Sequence, residues 1–423
     1  MRRARTPFAL LGICLAAAAA STGAAGKPKP NPKPPPNYGP IVKKTIHTDA
    51  QPCAPVEGFG SIWVSNFGSN TLQRIDPATN RVTGRVDIGA QPCGLAVGAG
   101  AVWINGYGSN SVERVDPQAM KLVAHIDVGR APFDVLFAAG SVWTTNQQDG
   151  NVMRIDPATN AVVATIPVGA GPAGLGFAAA SVWVGSTAVD RIFRIDPASN
   201  AVTPVPVEHT GPAWLSTRDN RVWVSSVPDG VVIRVDPATN HVTAVVKVRA
   251  QPVDGVVDAR GLVWIPNRGD NSVSIVDAAS ATLVTTLRVG PAPFVLNDGF
   301  GDIWSPSYGG GDVRRLRPPL IVESRLAENA ASGQTGTVRL IAVGRRSTRV
   351  IVIVASAPAS EVVHVHGGRC GAFKKAKFPP RTLRNGRASF LLSAPIKTLS
   401  SGRFALDLHR AHGDAAFVAC ANL

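Results

Sequence analysis

Seven tryptophans recur along the chain at intervals of 40 residues, with one interval of 41. Each one follows a short apolar run and precedes a polar turn, and a proline stands eleven or twelve residues before it. The repeated tryptophans are Trp63, Trp103, Trp143, Trp183, Trp223, Trp264 and Trp304. A period near 40 with strand-like patterning indicates a solenoid or a propeller, and four short strands per repeat favour the propeller. The interval therefore predicts an all-β fold with seven blades.

Each repeat alternates apolar and polar residues in four segments that are joined by tight turns. In the second repeat we predict strands A to D of one blade at residues 94–97, 101–105, 111–116 and 121–128. The turn between strands C and D reads DPATN or DPASN where it begins at Asp76, Asp156, Asp196 and Asp236. Asp accepts backbone N–H groups in such a turn, Pro fixes φ, and Asn tolerates the left-handed conformation. We therefore interpret the repeated aspartate as a turn residue rather than a ligand.

The two ends of the repeat array complement each other. Residues 41–49 align with the strand D segments, whereas the seventh repeat ends after its strand C at Arg317 and Pro318. We predict that the N-terminal strand completes the last blade of a propeller that spans residues 41–318. Such closure removes the free edges that an open β array would expose.

A family resemblance rests on the repeat I/V-W-V-x-N…I-D-P-A-T-N…V-A-T-I-x-V-G-x-x-P. It resembles the YVTN/YncE-like propellers and, more distantly, the virginiamycin B lyase-like propellers, and it implies a seven-bladed fold for residues 41–318. Lyase-type propellers use His and Glu near the channel mouth, but this chain has no His between His241 and His364. A lyase or lactonase-type enzyme would need a polar metal site in the channel. Its candidates are Asp134 and Asp254, each two residues after a repeat proline.

One face of the propeller should vary from repeat to repeat, because the B–C turns and the D–A loops share it and differ in sequence. We call it the variable face. Aromatic side chains mixed with amides and arginines suit a carbohydrate, peptide or protein partner. The candidate ligand-binding residues on this face are Gln91, Tyr107, Arg130, Phe133, Gln147, His209, Trp214, Gln251, Arg268, Phe294 and Tyr308.

The first 40 residues predict export. Residues 1–25 combine three early arginines with an apolar run and then small residues, which is typical of a secretory signal peptide. Residues 26–40 are a Pro/Lys-rich linker. No other run approaches the roughly 20 apolar residues of a membrane span. We therefore expect a secreted, extracytoplasmic protein without a transmembrane segment.

The formal net charge of +15 is concentrated in the N-terminal segment and in the region after residue 319. In an exported protein this distribution suggests anionic envelope polymers, rather than nucleic acid, as partners of the linker and the C-terminal domain. The alternative explanation is that scattered arginines keep a secreted β domain soluble.

A second domain is predicted over residues 319–423, where the tryptophan interval stops. Its alternating and apolar runs indicate a small β-sandwich. The string VVHVHGGRCG…FALDLH…FVACANL resembles the copper/zinc superoxide dismutase-like fold. This resemblance implies a disulfide between Cys370 and Cys420. It also implies a copper site, the one cofactor suggested here, with the candidate ligands His364, His366 and His409.

The C-terminal sequence also departs from that family. No His lies between Cys370 and Asn385, so the metal-bridging His has no counterpart, and the zinc-ligand segment is missing. Phe417 stands where the family places its substrate-guiding Arg. A zinc site and superoxide dismutation are therefore not expected. Histidines that simply pack on a sheet are the alternative to a copper site.

Four cysteines remain once Cys14 is removed with the signal peptide, and they allow three connectivities. Given the pairing implied by the resemblance, Cys53 and Cys93 pair by elimination. These two residues occupy the same place in adjacent repeats. A bond between them requires Cα atoms within about 7 Å of each other.

Three functional classes follow from these observations. The first is an exported binding or scaffold protein that uses the variable face of the propeller. The second is a copper-binding or redox protein that uses the C-terminal histidines. The third is a propeller lyase or lactonase-type enzyme. The propeller offers no convincing catalytic set, which favours a binding protein over an enzyme.

Overall fold

A computed structural model describes residues 42–329, 331–410 and 416–423. The predicted signal peptide (1–25) and linker (26–40), together with the first residue of the predicted propeller range, lie outside these residues. The described part of the chain is almost entirely β. Its helices are single turns, a 3₁₀ turn at Arg268–Asp270 and α1 at Ile396–Leu399. Within the described residues, no helix could cross a membrane.

The N-terminal part of the structure is a propeller of seven four-stranded sheets, as predicted. Its first strand is β1 (Val42–His47). Blade 1 consists of β2 (Pro52–Gly58), β3 (Ser61–Asn66), β4 (Thr71–Asp76) and β5 (Arg81–Asp87). Blade 2 consists of β6 (Pro92–Gly98), β7 (Ala101–Gly106), β8 (Ser111–Asp116) and β9 (Lys121–Asp127). Blade 3 consists of β10 (Pro132–Ala138), β11 (Ser141–Asn146), β12 (Asn151–Asp156) and β13 (Ala161–Pro167).

The remaining blades follow in chain order. Blade 4 consists of β14 (Pro172–Ala178), β15 (Ser181–Ser186), β16 (Arg191–Ile195) and β17 (Val202–Pro206). Blade 5 consists of β18 (Pro212–Arg218), β19 (Arg221–Ser226), β20 (Val231–Asp236) and β21 (His241–Lys247). Blade 6 consists of β22 (Val256–Val257), β23 (Leu262–Asn267), β24 (Ser272–Asp277) and β25 (Thr282–Arg288). Blade 7 contains β26 (Asn297–Gly299), β27 (Asp302–Ser307) and β28 (Asp312–Leu316).

The ring closes through its first strand. β1 pairs antiparallel with β28, with Thr45 opposite Arg314, and so forms the outer strand of blade 7. Across the same sheet, Lys43 Nζ lies 2.8 Å from Asp302 Oδ2, although the two residues are 259 positions apart. The predicted closure of the last blade by the N-terminal strand is confirmed.

The repeated tryptophans are the contacts between blades. All seven are 0% exposed. Trp63 of blade 1, for example, packs against Val102 and Ile104 of blade 2. The strand C arginines reinforce this contact. The guanidinium carbon of Arg114 lies 5.0 Å from the centroid of the Trp103 ring, and Arg114 Nη1 donates to Pro157 O of the next blade at 2.9 Å.

The DPATN turns have the predicted chemistry. Asp76 Oδ1 accepts a hydrogen bond from the Ala78 N–H at 2.8 Å, and Asp76 Oδ2 accepts one from the Thr79 hydroxyl at 2.6 Å. Asn80 has φ 57°, in the left-handed region. The turn aspartates therefore hold their own turns, and Pro77 O and Asn80 Oδ1 accept bonds from Arg315 of blade 7.

The C-terminal domain is an antiparallel barrel. Its strands are β29 (Ile321–Glu328), β30 (Thr335–Gly344), β31 (Ser347–Ala355), β32 (Ser360–Arg369), β33 (Ala372–Ala376), β34 (Arg381–Arg384), β35 (Arg387–Leu392), β36 (Phe404–His409) and β37 (Ala419–Asn422). They follow the order β33-β32-β34-β35-β31-β30-β29-β37-β36, and a further pairing of β32 with β36 closes the circle. The sandwich-like domain predicted from the sequence is thus a closed eight-stranded barrel with β33 attached at one edge.

Propeller and barrel share a hydrophobic core. Ile341, Val343 and Ile351 of the barrel pack in one cluster with Leu262 and Trp264 of blade 6. Arg339 of the barrel also forms an ion pair with the fully buried Asp277 of blade 6. Apolar burial and a buried ion pair together hold the two domains in a fixed arrangement.

Both expected disulfides are present. The Cα atoms of Cys53 and Cys93 are 5.1 Å apart, and those of Cys370 and Cys420 are 6.0 Å apart. The first bond joins blades 1 and 2 beside the channel. The second joins the end of β32 to β37.

Candidate functional site

Four potential metal ligands meet at the seam that closes the barrel. His364 and His366 lie on β32, and Asp407 and His409 lie on the adjacent β36, with His364 opposite Asp407 in the ladder. Residues two apart on a strand point to the same side, so these side chains share one face. One potential ligand atom from each of the four residues lies within 4.8 Å of the others. The structure thus brings the three predicted histidines together.

The hydrogen bonds of the cluster leave electron lone pairs directed inward. His366 Nδ1 lies 2.9 Å from Lys374 O. A carbonyl can only accept, so Nδ1 carries the proton, and in the neutral imidazole Nε2 has the lone pair. His366 Nε2 lies 3.3 Å from Asp407 Oδ1, and within the described part of the chain neither atom has a hydrogen-bond partner. A nitrogen lone pair that faces a carboxylate oxygen is an arrangement that a cation would stabilise.

His409 has a carboxylate partner of the kind that metal-ligating histidines use. Its Nε2 lies 3.2 Å from Asp407 Oδ2, while its buried Nδ1 has no hydrogen-bond partner among the described residues. A carboxylate that accepts from one imidazole nitrogen fixes the tautomer and leaves the other nitrogen as a ligand. Asp407 is itself 1% exposed. The residues present therefore fit a metal ion.

Aromatic rings cover one side of this cluster. The ring centroids of His364 and His409 are 4.7 Å apart, and Phe373 lies 5.0 Å from His366. Phe417 stacks edge-on against Phe373 at 5.0 Å. The residue that replaces the expected guiding arginine is therefore part of an apolar cover.

Sequence reasoning missed Asp407. The signal was present, because Asp407 stands two residues before His409 in the D-L-H motif and so points to the same face. The family resemblance directed attention to the histidines alone.

A second candidate site lies in the channel of the propeller. The residues two positions after the repeat prolines form a ring of equivalent positions, the channel ring, which consists of Ala54, Gly94, Asp134, Gly174, Trp214, Asp254 and Val295. All of these except Gly174 line one cavity of about 180 Å³. Both channel carboxylates that the sequence suggested therefore face the same space.

Burial controls the chemistry of these two carboxyl groups. Asp134 accepts backbone N–H bonds from Val135 at 2.8 Å and from Leu175 at 2.7 Å. Burial nevertheless outweighs these bonds and raises the pKa of Asp134 to about 6. Burial also raises the pKa of Asp254 well above its ordinary value, and the charge of Asp134 raises it further.

The aromatic residues of the variable face pack on one another across the channel. Ring centroids are 5.9 Å apart for Tyr107 and Phe133, 5.1 Å for Phe133 and Trp214, 5.5 Å for Trp214 and Phe294, and 5.9 Å for Phe294 and Tyr308. The Arg268 guanidinium carbon lies 5.7 Å from the Phe294 centroid. We call these five rings the aromatic cover. All of them except Phe133 are at most 7% exposed.

The polar candidates of the variable face lie around this cover. Arg130 Nε pairs with Asp149 Oδ1 at 2.7 Å, and His209 Nδ1 lies 2.8 Å from Asp229 Oδ2. The bond with His209 is the main cause of a lowered pKa at Asp229. Gln251 is exposed, whereas Gln91 and Gln147 are half-buried. The structure does not gather these residues into one pocket.

Comparison with known proteins identifies the fold of the propeller. No family model and no curated protein sequence matches the chain. Among solved structures, virginiamycin B lyase from Staphylococcus aureus aligns with TM-score 0.59 and 14% identity, covering 65% of this chain and 98% of that one. Kuenenia stuttgartiensis hydrazine synthase aligns with TM-score 0.58 and 17% identity, covering 64% and 97%. The WD40 propeller domain of Doa1 aligns with TM-score 0.56 and 13% identity, covering 65% and 96%.

These similarities establish the architecture. The chain contains a seven-bladed propeller whose fold is similar to that of virginiamycin B lyase. At such identities the likeness extends to the fold alone.

Proposed function

We propose that the protein binds one copper ion in its C-terminal barrel and that the propeller carries this site as a rigid scaffold. The observation that supports the proposal is the convergence of His364, His366, Asp407 and His409, whose ligand atoms lie within 4.8 Å of one another. Three imidazoles and a carboxylate suit a borderline transition metal, and the affinity order of divalent ions favours Cu²⁺.

The protein's own groups would prepare such a site. Lys374 O holds the His366 ring so that Nε2 faces inward, and Asp407 orients His409. Phe373 and Phe417 limit the access of water on one side. When bound, copper supplies one-electron chemistry. The shielded surroundings suit retention of the ion more than rapid exchange of small substrates.

Metal analysis of the purified full-length chain tests this proposal. After exposure to Cu²⁺ and desalting, mass spectrometry should find about one copper per chain. The His364→Ala/His366→Ala variant should retain none and bind Cu²⁺ more than about 100-fold more weakly. Removing a ligand costs more than the roughly 10–100-fold that is typical when a residue hydrogen-bonded to a ligand is removed.

A matched control removes histidines elsewhere. His125 and His241 lie on the outer strands of the propeller, and the His125→Ala/His241→Ala variant should keep the full copper content. Equal copper in both double variants would contradict the proposed site. Wild-type protein without copper, under conditions in which it is folded by circular dichroism, would contradict copper binding altogether.

The second candidate function is binding of an extracytoplasmic protein, peptide or carbohydrate at the variable face. Exposed polar residues favour it, because Arg130 and Gln251 are exposed in loops of the variable face. One similar solved structure is that of a catalytically inactive virginiamycin B lyase with Quinupristin. A glycan array and a peptide array, each probed with wild type and with the Arg130→Ala/Gln251→Ala variant, should reveal a ligand that only wild type retains.

Anionic polymers are a proposed partner of the barrel. Lys374, Lys375 and Lys377 are exposed on and after β33, and Arg381 and Arg384 are exposed on β34. Clustered positive charge attracts polyanions in a salt-dependent manner. Poly-glutamate should bind in low salt, and a Lys374→Ala/Lys375→Ala/Lys377→Ala variant should bind it several-fold more weakly. Salt-independent binding would contradict this proposal.

Export is also a proposal. Two disulfides are compatible with an oxidising compartment outside the cytoplasm. N-terminal sequencing of protein recovered outside expressing cells should show cleavage near Ala20 or Ala25. An intact N-terminus on protein confined to the cytoplasm would contradict it.

A further inference from the structure

The channel cavity contains two ionisable side chains without a basic partner. Among the described residues that line it, Asp134 and Asp254 are the titratable ones, and Lys, Arg and His do not occur. Ionising both buried carboxyls would leave uncompensated negative charge, which is costly in a desolvated site. A cation that entered the cavity would remove this cost.

Two further oxygen atoms beside the cavity are buried and have no hydrogen-bond partner among the residues that the structure describes. Asn105 Oδ1 is one of them, and Asn105 is 0% exposed. A Cβ placed on the cavity residue Gly94 would lie 2.7 Å from Asn105 Oδ1 and 2.7 Å from Asp134 Oδ1. These two acceptors therefore face the same small space above Gly94. The second atom is Ser216 Oγ, 2.9 Å from a Cβ on Gly255.

Apolar and aromatic side chains also line the cavity, together with the polar residues Thr217 and Asn297. Leu95, Leu175 and Leu215 line the cavity together with the rings of Phe133 and Trp214. The faces of aromatic rings attract cations within about 6 Å. At about 180 Å³ the cavity is several times the roughly 30 Å³ that one water occupies in the liquid. It has room for a small organic molecule.

We propose that this cavity binds a small primary alkylammonium ion. The ammonium group has three N–H donors. We assign it to the carboxylates of Asp134 and Asp254, which line the cavity, and to Asn105 Oδ1, which faces the space above Gly94. The alkyl part packs against Phe133 and Trp214. The proposal is independent of the copper site in the barrel.

The oxygen atoms available at the cavity suit an ammonium group better than a hard metal ion such as Ca²⁺ or Mg²⁺. Both oxygens of Asp134 already accept backbone N–H bonds. Ca²⁺ takes about six to eight oxygen ligands, and Mg²⁺ requires near-ideal octahedral geometry. An ammonium group needs one remaining lone pair from each acceptor.

Binding should strengthen as pH rises. The ligand requires ionised carboxyls, and burial holds the pKa of Asp134 at about 6 and that of Asp254 well above its ordinary value. The charged groups on the neighbouring strands are already engaged. Arg218 and Asp298 form an ion pair with each other, and the Arg268 guanidinium carbon lies 5.6 Å from the centroid of the Tyr308 ring.

Calorimetric titration of the full-length protein with propylammonium chloride tests the proposal. We expect saturable binding at pH 8 that is at least tenfold weaker at pH 5. Asp134→Asn and Asp254→Asn, which preserve side-chain shape, should each weaken binding at least tenfold. Asp76→Asn, in an exposed turn, should leave it unchanged.

Titrations with other ligands test whether charge and metal coordination explain the binding. Propanol, which has the size but not the charge, should not bind. Saturable binding of Ca²⁺ or Mg²⁺ that depends on Asp134, without binding of propylammonium, would overturn the assignment in favour of a metal site. Propylammonium binding that survives in both Asn variants, with melting temperatures showing both to be folded, would also overturn it.

Discussion

The aspartates of the DPATN turns and the aspartates of the channel behave in opposite ways within one propeller. The pKa of Asp76 is lowered, chiefly by the hydroxyl of Thr79 and then by the N–H of Ala78. The pKa values of Asp134 and Asp254 are raised by burial. The turn aspartates are exposed or half-buried, and their hydrogen bonds hold their own turns. The channel aspartates instead face a shared cavity.

This difference teaches how to separate structure from function in a repeat protein. The turn aspartate recurs from blade to blade, and so does its hydrogen bonding. In the channel ring, Asp occurs in blades 3 and 6, and Trp214 occurs in blade 5, where the equivalent residues of blades 1, 2 and 4 are Ala or Gly. Where one position recurs in every blade, the residues that differ from those of the other blades are the ones to test for binding.

The largest expected effect concerns the disulfide beside the channel ring. The Cys53→Ser/Cys93→Ser variant should lose about 4 kcal/mol of unfolding free energy in the chain-entropy model, because the bond closes a 40-residue separation. Guanidinium denaturation under oxidising conditions measures it. A matched Cys370→Ser/Cys420→Ser variant should lose a similar amount, with a separation of 50. A loss below about 1 kcal/mol would show that the channel end of blades 1 and 2 is rigid without its bond.

The second expected effect is a gain, not a loss, in the stability of a variant relative to wild type as pH rises. Because the folded-state pKa of Asp134 is about 6 and its ordinary value is 3.8, the folded protein keeps this proton after the unfolded chain has released it. Stability therefore falls as pH rises from about 4 to 6 and stays lower above that. Asn cannot ionise, but it loses one of the two backbone N–H bonds of Asp134 at every pH. The stability of Asp134→Asn relative to wild type should therefore rise by about 1 to 3 kcal/mol between pH 4 and pH 8 in the ligand-free protein.

Urea denaturation at pH 4 and pH 8 provides the control for this variant. At pH 4 the wild-type carboxyl is neutral, so the difference between Asp134→Asn and wild type there measures the lost N–H bond. The same difference at pH 4 and pH 8 would contradict the conclusion that Asp134 is ionised at an energetic cost, and would bring it closer to the turn aspartates.

A third test compares two tryptophans of the repeat. Trp103 Nε1 donates to Gly98 O at 3.0 Å, whereas Trp223 Nε1 has no hydrogen-bond partner among the described residues. Both Phe substitutions remove the indole, but only Trp103→Phe loses a hydrogen bond. Trp103→Phe should therefore cost about 1 kcal/mol more than Trp223→Phe. Equal costs in thermal unfolding would show that this bond contributes nothing to the repeat.

The smallest effect belongs to a turn aspartate. The lowered pKa of Asp76 means that its contribution is present above its ordinary pKa of 3.8 and is lost as pH falls through the folded-state value. Asp76→Asn should lower the melting temperature slightly at pH 7 and not at pH 2. A stabilising effect at pH 7 would remove the contrast with Asp134.

Much of the fold could be predicted because the relevant signals are periodic. The tryptophan interval specifies the blade count, and the unmatched strand before the first repeat specifies the closure. The DPATN turn follows from local chemistry at Asp76 and Asn80. Each of these features depends on short stretches of sequence or on simple alignment of the repeats.

The candidate sites were less predictable, because they depend on convergence in space. Alignment places Tyr107, Phe133 and Trp214 in similar loops, but only the ring geometry shows that they stack on each other. Closure of the barrel, which places His364 beside Asp407, depends on the pairing of β32 with β36. No local sequence pattern predicts the contact between His364 and Asp407, or the tautomer of His366 that Lys374 O favours.

The pairing of β1 with β28 has a consequence for the life of the nascent chain. Because synthesis proceeds from the N-terminus, Lys43 is made 259 residues before its partner Asp302. Contacts so distant in sequence form slowly, and until then both β1 and the edge of blade 7 can pair with other molecules. A rearranged chain that begins in the loop before β2, with β1 moved to follow β28, would shorten the sequence separation between these two strands. It should refold faster and aggregate less.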